Sequence, residues 1–86
     1  MEQFLAQLEE EYREFDKLVE ACAKATDEYA IVVKPSWFAI NDDNTLDVNY
    51  DFVYDVTEKY FIMTDGNRLC CLPIEVVSWV IGEFYN

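Results

Sequence analysis

The run Leu46-Asp47-Val48-Asn49-Tyr50-Asp51-Phe52-Val53-Tyr54-Asp55-Val56 decides how the rest of the chain is read. In an extended backbone, successive side chains point to opposite faces. Leu46, Val48, Tyr50, Phe52, Tyr54 and Val56 then share one side, and Asp47, Asn49, Asp51, Val53 and Asp55 the other. A period of two over the eleven residues 46–56 predicts a strand with one packed and one acidic face.

Working outward, Asn41-Asp42-Asp43-Asn44 reads as the preceding turn. Tyr29 to Val33 and Trp37 to Ile40 form two β-prone runs separated by Pro35, which suits an edge or bulge. Downstream, Tyr60–Met63 and Leu69–Leu72 flank the Asp65-Gly66-Asn67 turn signal and predict a hairpin. Before all of these, Phe4, Leu8, Tyr12, Phe15, Val19 and Cys22 step at helical spacing, with Leu5 and Leu18 widening the stripe. This predicts one amphipathic helix over about residues 2–25. Its polar face offers Glu9 with Arg13, Glu14 with Lys17 and Glu20 with Lys24 as local ion pairs. Pro73 to Tyr85 suits a helix, with Pro73 at its start and Ile74, Val77, Ile81 and Phe84 on one stripe, while its β-branched content also suits a strand. The expected fold is α+β: a single domain over residues 1–86, in which a long N-terminal amphipathic helix packs on a four- to five-stranded antiparallel sheet, closed by a C-terminal helix or strand.

The 86 residues hold 18 acidic and 6 basic side chains, a formal charge of −12, with no histidine. At 52% hydrophobic and 16% aromatic residues, the chain has material for a core that acidic disordered tails lack. Direct binding to nucleic acid or an anionic membrane needs clustered Lys and Arg, which are missing. The opening Met1-Glu2-Gln3 has no basic or apolar leader pattern and no apolar run is long enough to span a bilayer. The expected location is therefore the cytoplasm. Cys22, Cys70 and Cys71 are an odd set containing an adjacent pair, which favours reduced thiols.

Asp47, Asn49, Asp51, Asp55 and Glu58 fall at positions 1, 3, 5, 9 and 12 of a calcium-loop pattern. Phe52 stands where that loop needs glycine, and an extended chain scatters the oxygens, so a solvated strand face is the better reading. No metal or other cofactor is expected. A cysteine or serine nucleophile has no imidazole to activate it, and three cysteines do not complete a zinc site. The chain is read as a non-enzyme. Trp37 and Trp79 are expected in the core, and Cys22 on the packed helix stripe; Phe84 and Tyr85 suit either the core or a partner-binding patch.

From Pro35 to Glu58 there are six acids, Asp42, Asp43, Asp47, Asp51, Asp55 and Glu58, and no Lys or Arg. Such a field speeds association with basic partners and can occupy a site shaped for phosphates. On one strand, Asp47, Asp51 and Asp55 recur every ~13–14 Å at ~3.4 Å per residue, against one phosphate per ~3.4 Å along a DNA strand. A duplex mimic therefore needs more charges, with Glu9, Glu10, Asp16 and Glu20 of the helix as candidates. The alternative is that the acids only keep a small aromatic-rich protein soluble.

Short length, strong acidity and a helix-plus-sheet pattern resemble, as a class, the small anti-defence proteins of phages, including anti-CRISPR and anti-restriction DNA mimics. The resemblance implies an inhibitor that docks on a basic nucleic-acid channel of a host nuclease complex. A second similarity, to phage leucine-rich-like proteins, rests on Ile40, Asn41, Asp43, Thr45, Asp47, Val48 and Asn49, then Leu72-Pro73, then Val80, Gly82 and Phe84. It implies a stand-alone cap-like unit ending in a strand. The functional expectation is a non-enzymatic inhibitor whose six acids bind a basic host protein or nuclease complex. Alternatives are an interaction module using an apolar patch, including a homodimer, and an immunity or antitoxin protein.

Overall fold

The computed structural model describes residues 2–86, with side chains from Arg13 onward. Helix α1 covers Glu2–Tyr29 and outruns its predicted end. Ala30, at φ 55°, turns the chain out of it. The Thr26 hydroxyl fixes the exit, donating to the Cys22 carbonyl at 2.9 Å and accepting from the Val33 amide at 3.3 Å. The run from Tyr29 to Val33 is therefore a helix end and a connection, not a strand. A 3-10 turn at Pro35–Trp37 leads into strand β1, Phe38–Ile40.

Strand β1 pairs antiparallel with β2, Leu46–Val48, in the register Phe38 with Val48 and Ile40 with Leu46. Asn44 closes their turn at φ 63°, a left-handed conformation that asparagine tolerates. The predicted eleven-residue strand ends at Val48. Asn49 caps a 3-10 turn, Tyr50–Phe52, by accepting the Asp51 amide on its side chain at 3.1 Å. Its own amide donates to the Trp37 carbonyl at 2.7 Å, and its Nδ2 to the Ser36 carbonyl at 3.3 Å.

After that turn the chain enters a different sheet. Strands β3 (Val53–Val56), β4 (Tyr60–Thr64) and β5 (Leu69–Pro73) form an antiparallel meander in the order β3-β4-β5. The expected sheet is thus two sheets, of two and three strands. The predicted second hairpin is present, with Gly66 at φ 96° in its turn. Asp65 stabilises that turn by accepting the Asn67 and Arg68 amides at 3.0 and 2.9 Å.

Strand β5 passes directly into helix α2, Ile74–Phe84, with Pro73 in the capping position. The last segment is a helix, and the strand ending implied by the leucine-rich-like resemblance is not found. Helix α2 lies antiparallel along the C-terminal half of α1. Lys17 Nζ stands 5.5 Å from the centre of the Phe84 ring, Lys24 meets Glu83 at 3.6 Å, and Tyr29 packs edge-on to Trp79. Lys17 and Lys24 are therefore committed to α2, in place of the predicted pairs with Glu14 and Glu20. The Glu9–Arg13 pair involves a side chain outside the described ones, as does the start of the predicted stripe, Phe4, Leu8 and Tyr12.

The core joins Leu18, Ala21, Cys22 and Ala25 of α1 to Trp37 of the 3-10 turn, Phe38, Leu46, Val48, Met63 and Leu72 of the sheets and Val76, Val77, Val80 and Phe84 of α2. Small Ala21 and Ala25 in the packed stripe suit close approach of the helices. Phe15 and Val19, expected in that stripe, are exposed. No charged or polar residue is buried among the described residues. None of the described helices is long and apolar enough to cross a membrane.

Candidate protein-binding surface

The six acids divide between the two sheets. Asp42 and Asp43 occupy the β1–β2 turn, where the Asp43 carboxylate accepts from both the hydroxyl and the amide of Thr45. These bonds hold the Asp43 carboxyl below its ordinary range, the hydroxyl bond contributing most. Asp47 pairs in register with Ala39 and accepts the Val48 amide at 2.7 Å. Beyond the turn at Asn49, Asp51 lies in the 3-10 segment, Asp55 on β3, and Glu58 in the turn between β3 and β4.

All six are solvent-exposed. Among the described residues the ion pairs are Lys24 with Glu83 and Lys34 with Asp65, so none of the six is neutralised by a neighbour. Lys34, the base just ahead of the acidic segment, is engaged elsewhere. Its Nζ bonds Asp65 at 3.2 Å and stands 5.9 Å from the centre of the Trp37 ring. The acidic field survives folding, but its layout differs from the expected one. Asp47, Asp51 and Asp55 do not form a ladder on one strand, because Asp51 lies in the 3-10 turn that separates Asp47 on β2 from Asp55 on β3. Of the helix acids, Asp16 and Glu20 are exposed, while Glu9 and Glu10 have side chains outside the described ones.

The calcium-loop spacing also spans these breaks, running through β2, the 3-10 turn, β3 and the next turn. No group of three or more metal-ligating side chains converges among the described residues. A polar cleft of about 170 Å³ between α1 and α2 is lined by Lys17, Glu20, Lys24 and Glu83 and holds no thiol or hydroxyl nucleophile. Cys22 is buried in the core, and burial pushes its thiol up to about 12. Trp37 and Phe84 are buried and Trp79 packs against the core, whereas Tyr85 is exposed. The Tyr85 hydroxyl accepts the Leu46 amide at 2.6 Å, tying the C-terminus to β2.

Sequence reasoning missed the apolar surface. Tyr50, Tyr54 and Val56, read as packed, are exposed, as are Tyr60 and Leu69. The break after Val48 shifts the alternation, and β3 carries a further irregularity between Val53 and Asp55. Asn49, a strong capping residue inside an otherwise β-prone run, was the available signal.

No protein family, curated protein or solved structure matches the chain.

Proposed function

We propose that this chain is a non-enzymatic inhibitor that docks on a basic, nucleic-acid-binding site of another protein, as a host defence nuclease or complex presents. The supporting observation is the set of six exposed acids from Asp42 to Glu58, none engaged in an ion pair among the described residues. Charge of one sign held on a folded scaffold steers a complementary partner and competes with the phosphates that partner normally binds. The acids fall into two groups, Asp42, Asp43 and Asp47 on the β1–β2 hairpin and Asp51, Asp55 and Glu58 beyond the turn at Asn49, and so are not strung along one strand.

The test is affinity capture from host lysate at low and high salt, followed by challenge of the captured complex with duplex DNA. Release by DNA, and loss of capture when Asp47, Asp51 and Asp55 are all changed to Lys, is the expected result. A complex that holds DNA and this chain together, or one indifferent to salt and to the reversal, refutes the proposal. Salt-indifferent binding supports the second reading, an interaction module using an apolar patch, for which the exposed Tyr54, Tyr60 and Leu69 are the relevant side chains.

A further inference from the structure

The regular register of β4 with β5 sorts the side chains of the three-stranded sheet between two faces. Val53, Met63 and Cys70 align across the strands, as do Val56, Phe61 and Leu72. Met63 and Leu72 are buried, and Val53, Phe61 and Cys70 pack against the core, so these two rows face inward, with Val56 at the margin of its row left 48% exposed. The intervening row, Asp55, Ile62 and Cys71, faces outward, with Tyr60 and Pro73 on one side of it and Thr64 and Leu69 on the other. Tyr54 is the extra residue of the β3 irregularity and is 69% exposed. Among the described residues this outer face is open to solvent at several points: Tyr60 is 41% and Leu69 58% exposed, and Cys71 is free and exposed.

Charge on this face is uneven. Asp51, Asp55 and Glu58 border the β3 side, with Lys59 the only base among them in sequence and Arg68 at the far corner ahead of β5. Asp55 uses one carboxylate oxygen to accept its neighbour's amide, Val56, at 2.8 Å, which leaves the other oxygen for a ligand. In sequence, tyrosines and carboxylates follow closely through this segment, in the order Tyr50, Asp51, Tyr54, Asp55, Glu58 and Tyr60, with Lys59 between the last two. A guanidinium satisfies both partners at once, stacking on an aromatic ring while donating to a carboxylate. A lysine ammonium is a more strongly hydrated point charge and does this less well. A second copy is a poor occupant, since each chain carries −12.

Resting on the reading of a basic partner given above, we propose that the outer face of the β3–β4–β5 sheet docks an arginine-rich segment of that partner, with Tyr54 and Tyr60 as stacking platforms and Asp55 and Glu58 as the anchoring carboxylates. Apolar Ile62 and Leu69 supply the centre that water is excluded from, and the acids its polar border, the usual anatomy of a binding patch.

The test uses arginine and lysine homopeptides of equal length, titrated into the intact protein by calorimetry at low salt. In parallel, the maleimide modification rate of Cys71 is followed by peptide mapping. The arginine peptide is expected to bind about five- to tenfold tighter than the lysine peptide and to slow Cys71 modification. Changing Tyr54 and Tyr60 together to Ala is expected to erase that preference while leaving the lysine peptide's affinity unchanged. The Cys71 readout on the unaltered protein decides the matter even if the double variant fails to fold. Equal affinities with Cys71 unprotected overturn this surface and leave the acidic reading standing; no binding of either peptide overturns both. Cys71 protection that depends on protein concentration without peptide overturns the proposal in favour of a second copy.

Discussion

Replacing Asn49 with Ala isolates the interaction that breaks the chain between its two sheets. The backbone bonds, Asn49 amide to Trp37 carbonyl at 2.7 Å and Phe52 amide to Asn49 carbonyl at 3.0 Å, survive the substitution. What is lost is the side-chain bond from the Asp51 amide at 3.1 Å and the one to the Ser36 carbonyl at 3.3 Å. Removing a capping acceptor costs about 1 kcal/mol. The second bond, near solvent, adds ~0.5–1 kcal/mol, for a total of ~1.5–2 kcal/mol. In a domain of this size, each kcal/mol corresponds to roughly 4–8 °C in Tm. Asn49→Ser keeps an acceptor for the Asp51 amide but is too short to reach Ser36, so it should recover about the 1 kcal/mol assigned to the cap. Urea unfolding followed by tryptophan fluorescence measures both variants, with an unchanged m-value required for the comparison. An Ala variant as stable as the parent chain refutes the assignment of the break to Asn49. A Ser variant no better than Ala refutes the capping share.

Three further outcomes are expected. Phe84→Ala, emptying a site 1% exposed, should cost ~3–5 kcal/mol and take a large part of the ~4–13 kcal/mol expected for a chain of this length, read as a fall in the urea midpoint. With a colorimetric disulfide reagent, Cys71 should react fastest, Cys70 more slowly, and Cys22 only on unfolding; a fast third thiol in the native state contradicts the packing. The Asp65 carboxyl is lowered to about 2, chiefly by the Asn67 and Arg68 amides and then by Lys34. Its folded value lies below the unfolded one, so its contribution is present above the ordinary carboxylate range and is lost as pH falls from 3.8 toward about 2. The stability gap between the parent chain and Asp65→Asn should therefore close over that window, and a gap constant to the lowest pH contradicts the hydrogen-bond assignment.

What the sequence made legible follows from how each signal arises. The hairpin at Tyr60–Pro73 was readable because Gly66 supplies a backbone conformation that other residues rarely adopt, between two β-prone runs. Helix α1 was readable from spacing alone, and Leu18 and Cys22 of its expected stripe are buried, but Phe15 and Val19 are not. Alanines carry little hydrophobic weight in a pattern, so Ala21 and Ala25 were passed over in favour of the larger Phe15 and Val19. The run from Leu46 to Val56 misled for a related reason. Alternation records residue types and not backbone direction, and Tyr50 and Phe52 keep the pattern intact through a turn that a single asparagine sets. The exposure of the six acids was legible, since charged side chains seldom bury unpaired; their division between two sheets depended on that same turn.

Strand β3 borders the larger sheet, and a bare sheet border is ordinarily a template on which a further strand can grow. Here the Val56 amide is already held by the Asp55 carboxylate, and the extra residue at Tyr54 throws the border out of regular pairing. At the opposite border, β5 ends on Pro73, which has no amide hydrogen to offer. Both margins are thus poor templates for strand addition. A further strand approaching either margin therefore meets a row of amides interrupted at Val56 on one side and at Pro73 on the other.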